Sequence, residues 1–166
     1  MNIVLLEPEI PHNAGAIGRT CHATGAALHL IRPLGFDTSD KAIKRAGLDY
    51  WRNVDVRYYD DYNEFLEKNK DGAAQMYFAS TKAEKSYADT SYSGNVFFIF
   101  GKESKGLPEE LLAENRERCI RIPMLDEMRS LNLSVSVGII LYEALRQNGY
   151  NGLKKKGQLH HLNWNN

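Results

Sequence analysis

The chain has almost no cysteine. Cys21 and Cys119 are the two in 166 residues, far apart and without a CxxC partner. A disulfide framework is excluded, and a reduced, cytoplasmic protein is the expectation. Long apolar runs are missing too. None approaches the roughly 18 residues of a membrane span, and the opening MNIVLLEPEIP has neither the basic start nor the small-residue cleavage site of a signal peptide. Net charge is absent, with 21 Lys and Arg against 21 Asp and Glu. The total therefore does not mark a general nucleic-acid binder, and any such role falls to local patches. Two patches qualify. Lys41, Lys44 and Arg45 share one side of a short predicted helix, with Arg52 soon after. From Ala144 onward there are Arg146, Lys154, Lys155 and Lys156 and no acid. Solvated surface explains either patch equally well.

Familiar site signatures are missing as well. There is no GxxxxGK[ST] phosphate loop and no GxGxxG dinucleotide fingerprint. There is no GxSxG elbow, and no zinc spacing, since His160 and His161 are adjacent. His12, His22 and His29 are scattered. His12, just before a glycine-rich turn, is the one placed for chemistry.

Short apolar runs alternate with helical periodicity. MNIVLL, Ala27–Arg32, Val54–Tyr58, Gln75–Ser80, Asn95–Phe100 and CIRI (119–122) read as strands. NVFFIF is apolar throughout, which fits burial on both faces of a parallel sheet. Ala14, Ile17, Cys21 and Thr24 fall at helical spacing, with Gly25 as a stop. Asp37 or Ser39 is placed to cap a helix running through Ala46 and ending at Gly47. Tyr62, Phe65 and Leu66 give another helix its apolar face, and Pro108 opens one through Glu114. Ser134–Gln147 carries the strongest stripe. The expectation is α/β: a mostly parallel open sheet with helices on both faces, in one domain over 1–150, followed by a basic, irregular tail over 151–166.

Three loops after strands stand out, where open α/β sheets bind ligands. They are PHNAGAIGR (11–19), FGKESKGLP (100–108) and IPMLDEMRSLNLSVSVG (122–138). In the first, the glycines permit either tight helix packing or close approach to a phosphate-bearing partner. In the second, Glu103 either supports a site or pairs with Lys102 or Lys105. In the third, Asn132 or Ser134 caps the last helix, whose N-terminus also offers free N–H groups.

In order and position these loops resemble the three motifs of the SPOUT superfamily of RNA methyltransferases. NAGAIGR matches N-x-G-x-x-x-R, FGKESKGL matches F-G-x-E-x-x-G-L, and IRIPM with SLNLSVSVGIILYEA is similar to the third motif. LEPEIPHNAG and IKRAGLDYW are similar to the small TrmL group, which methylates the ribose 2′-oxygen of the wobble nucleotide, cytidine or modified uridine, in leucine-type tRNAs. The resemblance implies a deep C-terminal trefoil knot, S-adenosylmethionine as donor without a metal, an obligate homodimer, and the tRNA anticodon stem-loop as partner. It implies Arg19, Glu103 and Asn132 as catalytic residues. It implies donor binding by Ala79, Gly101, Ile122, Met124, Ser130 and Leu131; substrate contacts are expected from Asn13 and Tyr142 and from the basic patch at Lys44 and Arg45. The Ser134–Gln147 helix and the first helix around Ile17 and Cys21 are expected to form the two-fold contact. Gly101→Val is expected to weaken donor binding in a folded protein. Two rivals predict other outcomes: an RNA-binding module without a donor site, and a flavodoxin-like enzyme that is a stable monomer.

Overall fold

A computed structural model describes residues 1–45 and 48–164, without the side chains of 40, 44, 45 and 72–74. Six strands run β1 (Asn2–Leu6), β2 (Ala27–Ile31), β3 (Val56–Tyr59), β4 (Met76–Ala79), β5 (Phe97–Gly101) and β6 (Cys119–Ile120). Five helices accompany them: α1 (Pro11–Thr24), α2 (Asp40–Arg45), α3 (Tyr62–Lys68), α4 (Glu109–Glu114) and α5 (Leu133–Gln147). The strands form one sheet in the order β3-β2-β1-β5-β4-β6, and every pairing is parallel.

Side chains alternate across the sheet, as the pleat requires. Ile3, Leu5, Leu28, Leu30, Phe98 and Phe100 pack with Ile17 and Cys21 of α1 and Val137, Ile140 and Leu141 of α5. Val4, Leu6, Ile31 and Ile99 point the other way, against Phe65 of α3 and Leu112 of α4. Both faces are covered, so β1, β2 and β5 are buried at every residue. Both cysteines are free and buried.

Several boundaries differ from the sequence expectation, each for a local reason. β3 begins at Val56 because the Val54 N–H closes the preceding 3-10 turn on the Trp51 carbonyl at 3.2 Å. β6 stops after two residues because its neighbour β4 has ended, and Arg121 bridges to Ser86 instead. The α2 cap is Ser39-based, with the Ile43 N–H on the Ser39 carbonyl at 3.0 Å. The expected end of that helix, at Ala46 and Gly47, lies outside the described residues. No described helix is long and apolar enough to cross a membrane.

The order places β1 and β5 side by side at the point where connections diverge. From β1 the chain moves through α1 to β2, whereas β5 is reached from β4 on the other flank. The carboxyl ends of β1 and β5 are therefore the switch point, the usual ligand crevice of an open α/β sheet.

Candidate active site

Two loops meet at that switch point, 7–10 after β1 and 102–105 after β5, and they are laced by complementary groups. Lys102 pairs with Glu7, and that hydrogen bond holds the ammonium above its ordinary pKa. The Ser104 N–H and hydroxyl both donate to Glu9, at 2.8 Å each, which holds the Glu9 carboxyl below its ordinary value. Glu103 accepts from the Glu9 N–H at 2.8 Å, the Ile10 N–H at 3.2 Å and Asn13 Nδ2 at 3.1 Å. Ile10 is the N-cap of α1 and supplies no side-chain cap. The Glu103 carboxylate therefore serves the positive end of α1 from another loop. It pairs with neither Lys102 nor Lys105, among the described residues.

The strap continues. Asn13 Oδ1 accepts from Asn132 Nδ2 at 3.0 Å. Asn132 Oδ1 in turn caps α5, accepting from Ser134 N–H at 2.9 Å, Val135 N–H at 3.4 Å and the Ser134 hydroxyl at 2.7 Å. One polar chain thus ties the second loop to the start of α1 and the start of α5. The buried Asn13 amide has both ends engaged.

Beside this strap lies a cavity of about 610 Å³, whose wall includes Ala79, Gly101, Ile122, Met124, Ser130 and Leu131. All six residues expected to hold the donor are gathered there, and Glu103, Asn132 and Asn13 line it too. Its lining includes apolar Ile122, Met124, Leu131 and Ile140, the hydroxyl residues Ser80, Thr81 and Ser130, and charged Lys82, Lys102, Glu103, Lys105 and Arg129. Of its cations, Lys82 is matched by Glu109 at 2.7 Å and Lys102 by Glu7.

Gly101 departs from the expectation. Its φ is 118°, and a Cβ there would stand 2.2 Å from the Leu6 carbonyl oxygen. The close approach that needs glycine is to β1, inside the sheet, so Gly101→Val disrupts the β1–β5 seam before it touches a ligand.

The other expected residues lie elsewhere. Arg19 is exposed, with its guanidinium carbon 4.9 Å from the Tyr50 ring centre. It lines a second cavity with His12 and Tyr50, and not the first. Tyr142 is 46% exposed on α5 and lines neither cavity. The side chains of Lys44 and Arg45 lie outside the described residues. Ile17 and Cys21 are fully buried in the chain's own core, so that face of α1 is not available to a second copy. His29 is not chemical but a core residue (see Discussion).

The glycines of NAGAIGR serve packing. A Cβ on Gly18 would stand 2.7 Å from the Trp51 ring, and one on Gly15 3.2 Å from Leu48. They let the 48–53 segment lie against α1, where the Tyr50 hydroxyl donates to the Gly15 carbonyl at 2.8 Å. Sequence reasoning missed Glu7, Glu9, Ser104, Tyr50 and Trp51. The acidic pair of LEPEIP and the basic pair of GKESK were the available sign of the lacing.

An open parallel sheet with a cavity at the switch point, roofed by strand-end loops and a helix N-terminus, is the architecture of an α/β protein whose site lies at the carboxyl ends of its strands. The chain belongs to the SpoU rRNA Methylase family, whose profile matches residues 1–142. A Yersinia pestis protein named tRNA (cytidine(34)-2'-O)-methyltransferase is 46% identical, over 92% of this chain and 96% of that one. A structure described as giving insight into 2-OH methylation of C/U34 on tRNA superposes with a TM-score of 0.81 at 45% identity, covering 90% of this chain and 97% of that one. The AdoMet-bound rRNA methyltransferase of Sinorhizobium meliloti superposes with a TM-score of 0.75 at 28% identity, over 87% of this chain and 55% of that one.

Proposed function

We propose that this chain methylates the ribose 2′-oxygen of the wobble nucleotide of tRNA, cytidine or modified uridine, with S-adenosylmethionine as donor. The observation that carries the reading is the first cavity, which brings all six expected donor residues together beside the Glu103–Asn13–Asn132 strap. Its residues fit the group: apolar walls for a flat adenine, backbone for its polar edge, and carboxylate partners for two of its cations, Lys82 and Lys102. When bound there, the donor supplies an electrophilic methyl group. Ala79, Ile122, Met124 and Leu131 enclose it and exclude water, and Ser130 adds a hydroxyl. Glu103 and Asn132 position the loops rather than exchange protons, since their polar atoms are spent on the strap.

The acceptor oxygen becomes more negative as it attacks. Arg19 stabilises that charge as a cation and grips a neighbouring phosphate. A guanidinium keeps its proton at neutral pH and has no lone pair to offer, so Arg19 acts as a cation and not as a general base. Arg19 does not line the donor cavity of its own chain. A homodimer that brings one copy's Arg19 to the other's donor cavity reconciles the two placements. Half-exposed Val135 and Tyr142 on α5 offer an unburied face for such a contact.

The fold reading extends to a C-terminal trefoil knot over the methyltransferase domain, 1–150, with 151–166 as a basic tail in a cytoplasmic protein. In support, β6 sits at the far edge of the sheet, yet α5, which follows it, lies back on α1. The β4–β5 connection is laid over the end of α5, with Gln147 Nε2 donating to the Thr90 carbonyl at 3.0 Å and Asn148 Nδ2 to the Tyr92 carbonyl at 2.8 Å.

The test is methyl transfer from labelled S-adenosylmethionine to total tRNA from cells lacking this gene, with nucleotide mapping. Label in the 2′-O-methyl group of nucleotide 34 is expected. Label elsewhere in tRNA moves the substrate, and absence of both transfer and donor binding leaves an RNA-binding module.

A further inference from the structure

The second cavity, also about 610 Å³, lies between α1 and residues of 36–43 and 48–51. Ile43, Leu48, Tyr50 and Trp51 give it apolar and aromatic walls, and Arg19 and His12 add polar ones. Tyr50 is fixed in place: its hydroxyl is held by the Gly15 carbonyl at 2.8 Å, and Arg19 lies over its ring at 4.9 Å. Arg19 makes no ion pair among the described residues, although Asp37 lines the same cavity, so a planar cation is presented next to an aromatic wall. That pairing suits a flat π-ligand attached to a phosphate. The volume falls in the range of pockets that enclose a small organic ligand.

The location narrows the ligand further. The first turn of α1 serves both cavities: Ile10 and Asn13 line the donor cavity, Pro11 and His12 the second. Arg19 belongs to the second. An RNA strand whose reacting ribose lies at Arg19 therefore has an adjoining nucleotide at this cavity, whichever copy supplies the donor. Unpaired bases of RNA loops are typically splayed onto aromatic and guanidinium planes.

We propose that the second cavity seats an unpaired base that flanks the methylated nucleotide in the substrate RNA. The inference rests on the reading of this chain as an RNA 2′-O-methyltransferase. It makes the cavity a reader of loop conformation: a flanking base held in a duplex cannot enter.

The probes are an intact anticodon stem-loop RNA and a set in which each nucleotide flanking position 34 is abasic in turn. The wild-type protein is expected to bind one abasic RNA about 10-fold more weakly than the intact one, the scale of losing one stacked base. Ala42→Trp fills the cavity from its wall. It is expected to bind intact RNA about 10-fold more weakly, to be indifferent to that same abasic change, and to keep its affinity for S-adenosylmethionine. Thr38→Trp, from another part of the wall, repeats the comparison should Ala42→Trp not fold. Equal wild-type binding of every abasic RNA overturns the proposal, as does undiminished binding of intact RNA by a folded filled variant. Methylation of the intact stem-loop is measured in parallel. Its failure counts against the catalytic reading, while the binding comparison bears on the cavity.

Discussion

Arg19 and His29 show two opposite uses of a titratable side chain. Arg19 is exposed, rests on Tyr50 and makes no ion pair among the described residues. As a transition-state stabiliser it should matter for rate and not for donor affinity. Arg19→Ala is expected to lower single-turnover methyl transfer by about 10²-fold or more, with S-adenosylmethionine binding unchanged. Arg19→Lys should recover only a small part, since it keeps the charge and loses the planar fork. Turnover near wild type in Arg19→Ala at saturating tRNA and donor would remove Arg19 from the mechanism. His29 is fully buried in β2. Its Nδ1 lies 2.8 Å from the Tyr59 hydroxyl and its Nε2 3.2 Å from Asn2 Oδ1. Asn2 Nδ2 is committed to Asn95 and the Val96 carbonyl, so Nε2 donates to Oδ1 and Nδ1 accepts from Tyr59. Burial, then the charge of Arg57, push the His29 pKa down to about 4. The unfolded chain, with an ordinary histidine near 6.5, takes up the proton first. Stability is therefore full above about pH 6.5 and falls as pH drops from there toward 4, by about 2 kcal/mol at pH 5. Urea unfolding at pH 7 and pH 5 should show that loss in the wild type and a much smaller one in His29→Gln. Equal pH dependence in the two proteins would refute it.

At the scale of elements, the parts legible in the sequence are those set by local periodicity. NVFFIF reads as a doubly buried parallel strand because both its faces meet helices. The α5 stripe of Val137, Ile140, Leu141, Ala144 and Leu145 reads correctly because it is simply the buried face. Short range fails where the partner is distant. Nothing near Glu103 in sequence says that it caps α1, about 90 residues away. Nothing around Gly101 says that the crowding atom is the Leu6 carbonyl. The apolar arc of Ile17 and Cys21 reads as a two-fold contact, and the packing of α5 against α1 places it in the core instead. The residues expected to hold the donor come from resemblance, and the topology brings them to one cavity although no local pattern links Ala79, Gly101 and Leu131. The distinct cavity of Arg19 was invisible for a related reason. It depends on Tyr50 and Trp51 folding back on Gly15 and Gly18.

At the scale of the whole molecule, zero net charge conceals a division. Residues 1–150 carry 18 basic and 21 acidic side chains, while 151–166 carry three lysines and no acid. The body is therefore net negative, an unfavourable surface for a polyanion beyond a few local patches. The tail is anchored at its start, where the Tyr150 N–H bonds the Leu145 carbonyl at 2.8 Å and Leu153 packs on the core. From Lys154 to Trp164 every residue is exposed, so the three ammonium groups face solvent with nothing acidic near them in sequence. Phosphate contacts release counterions, and each contributes about 0.7–0.9 to the slope of log affinity against log salt. Ending the chain at Leu153 is thus expected to weaken tRNA binding at low salt and to flatten that slope by about 2–3. S-adenosylmethionine affinity should not move, because the first cavity takes none of the described tail residues. Titrations of tRNA between 50 and 200 mM salt, about the range over which such contacts are lost, make the comparison. An unchanged slope in the shortened chain would place phosphate recognition on the Lys41–Arg52 side instead, next to the cavity that holds Arg19.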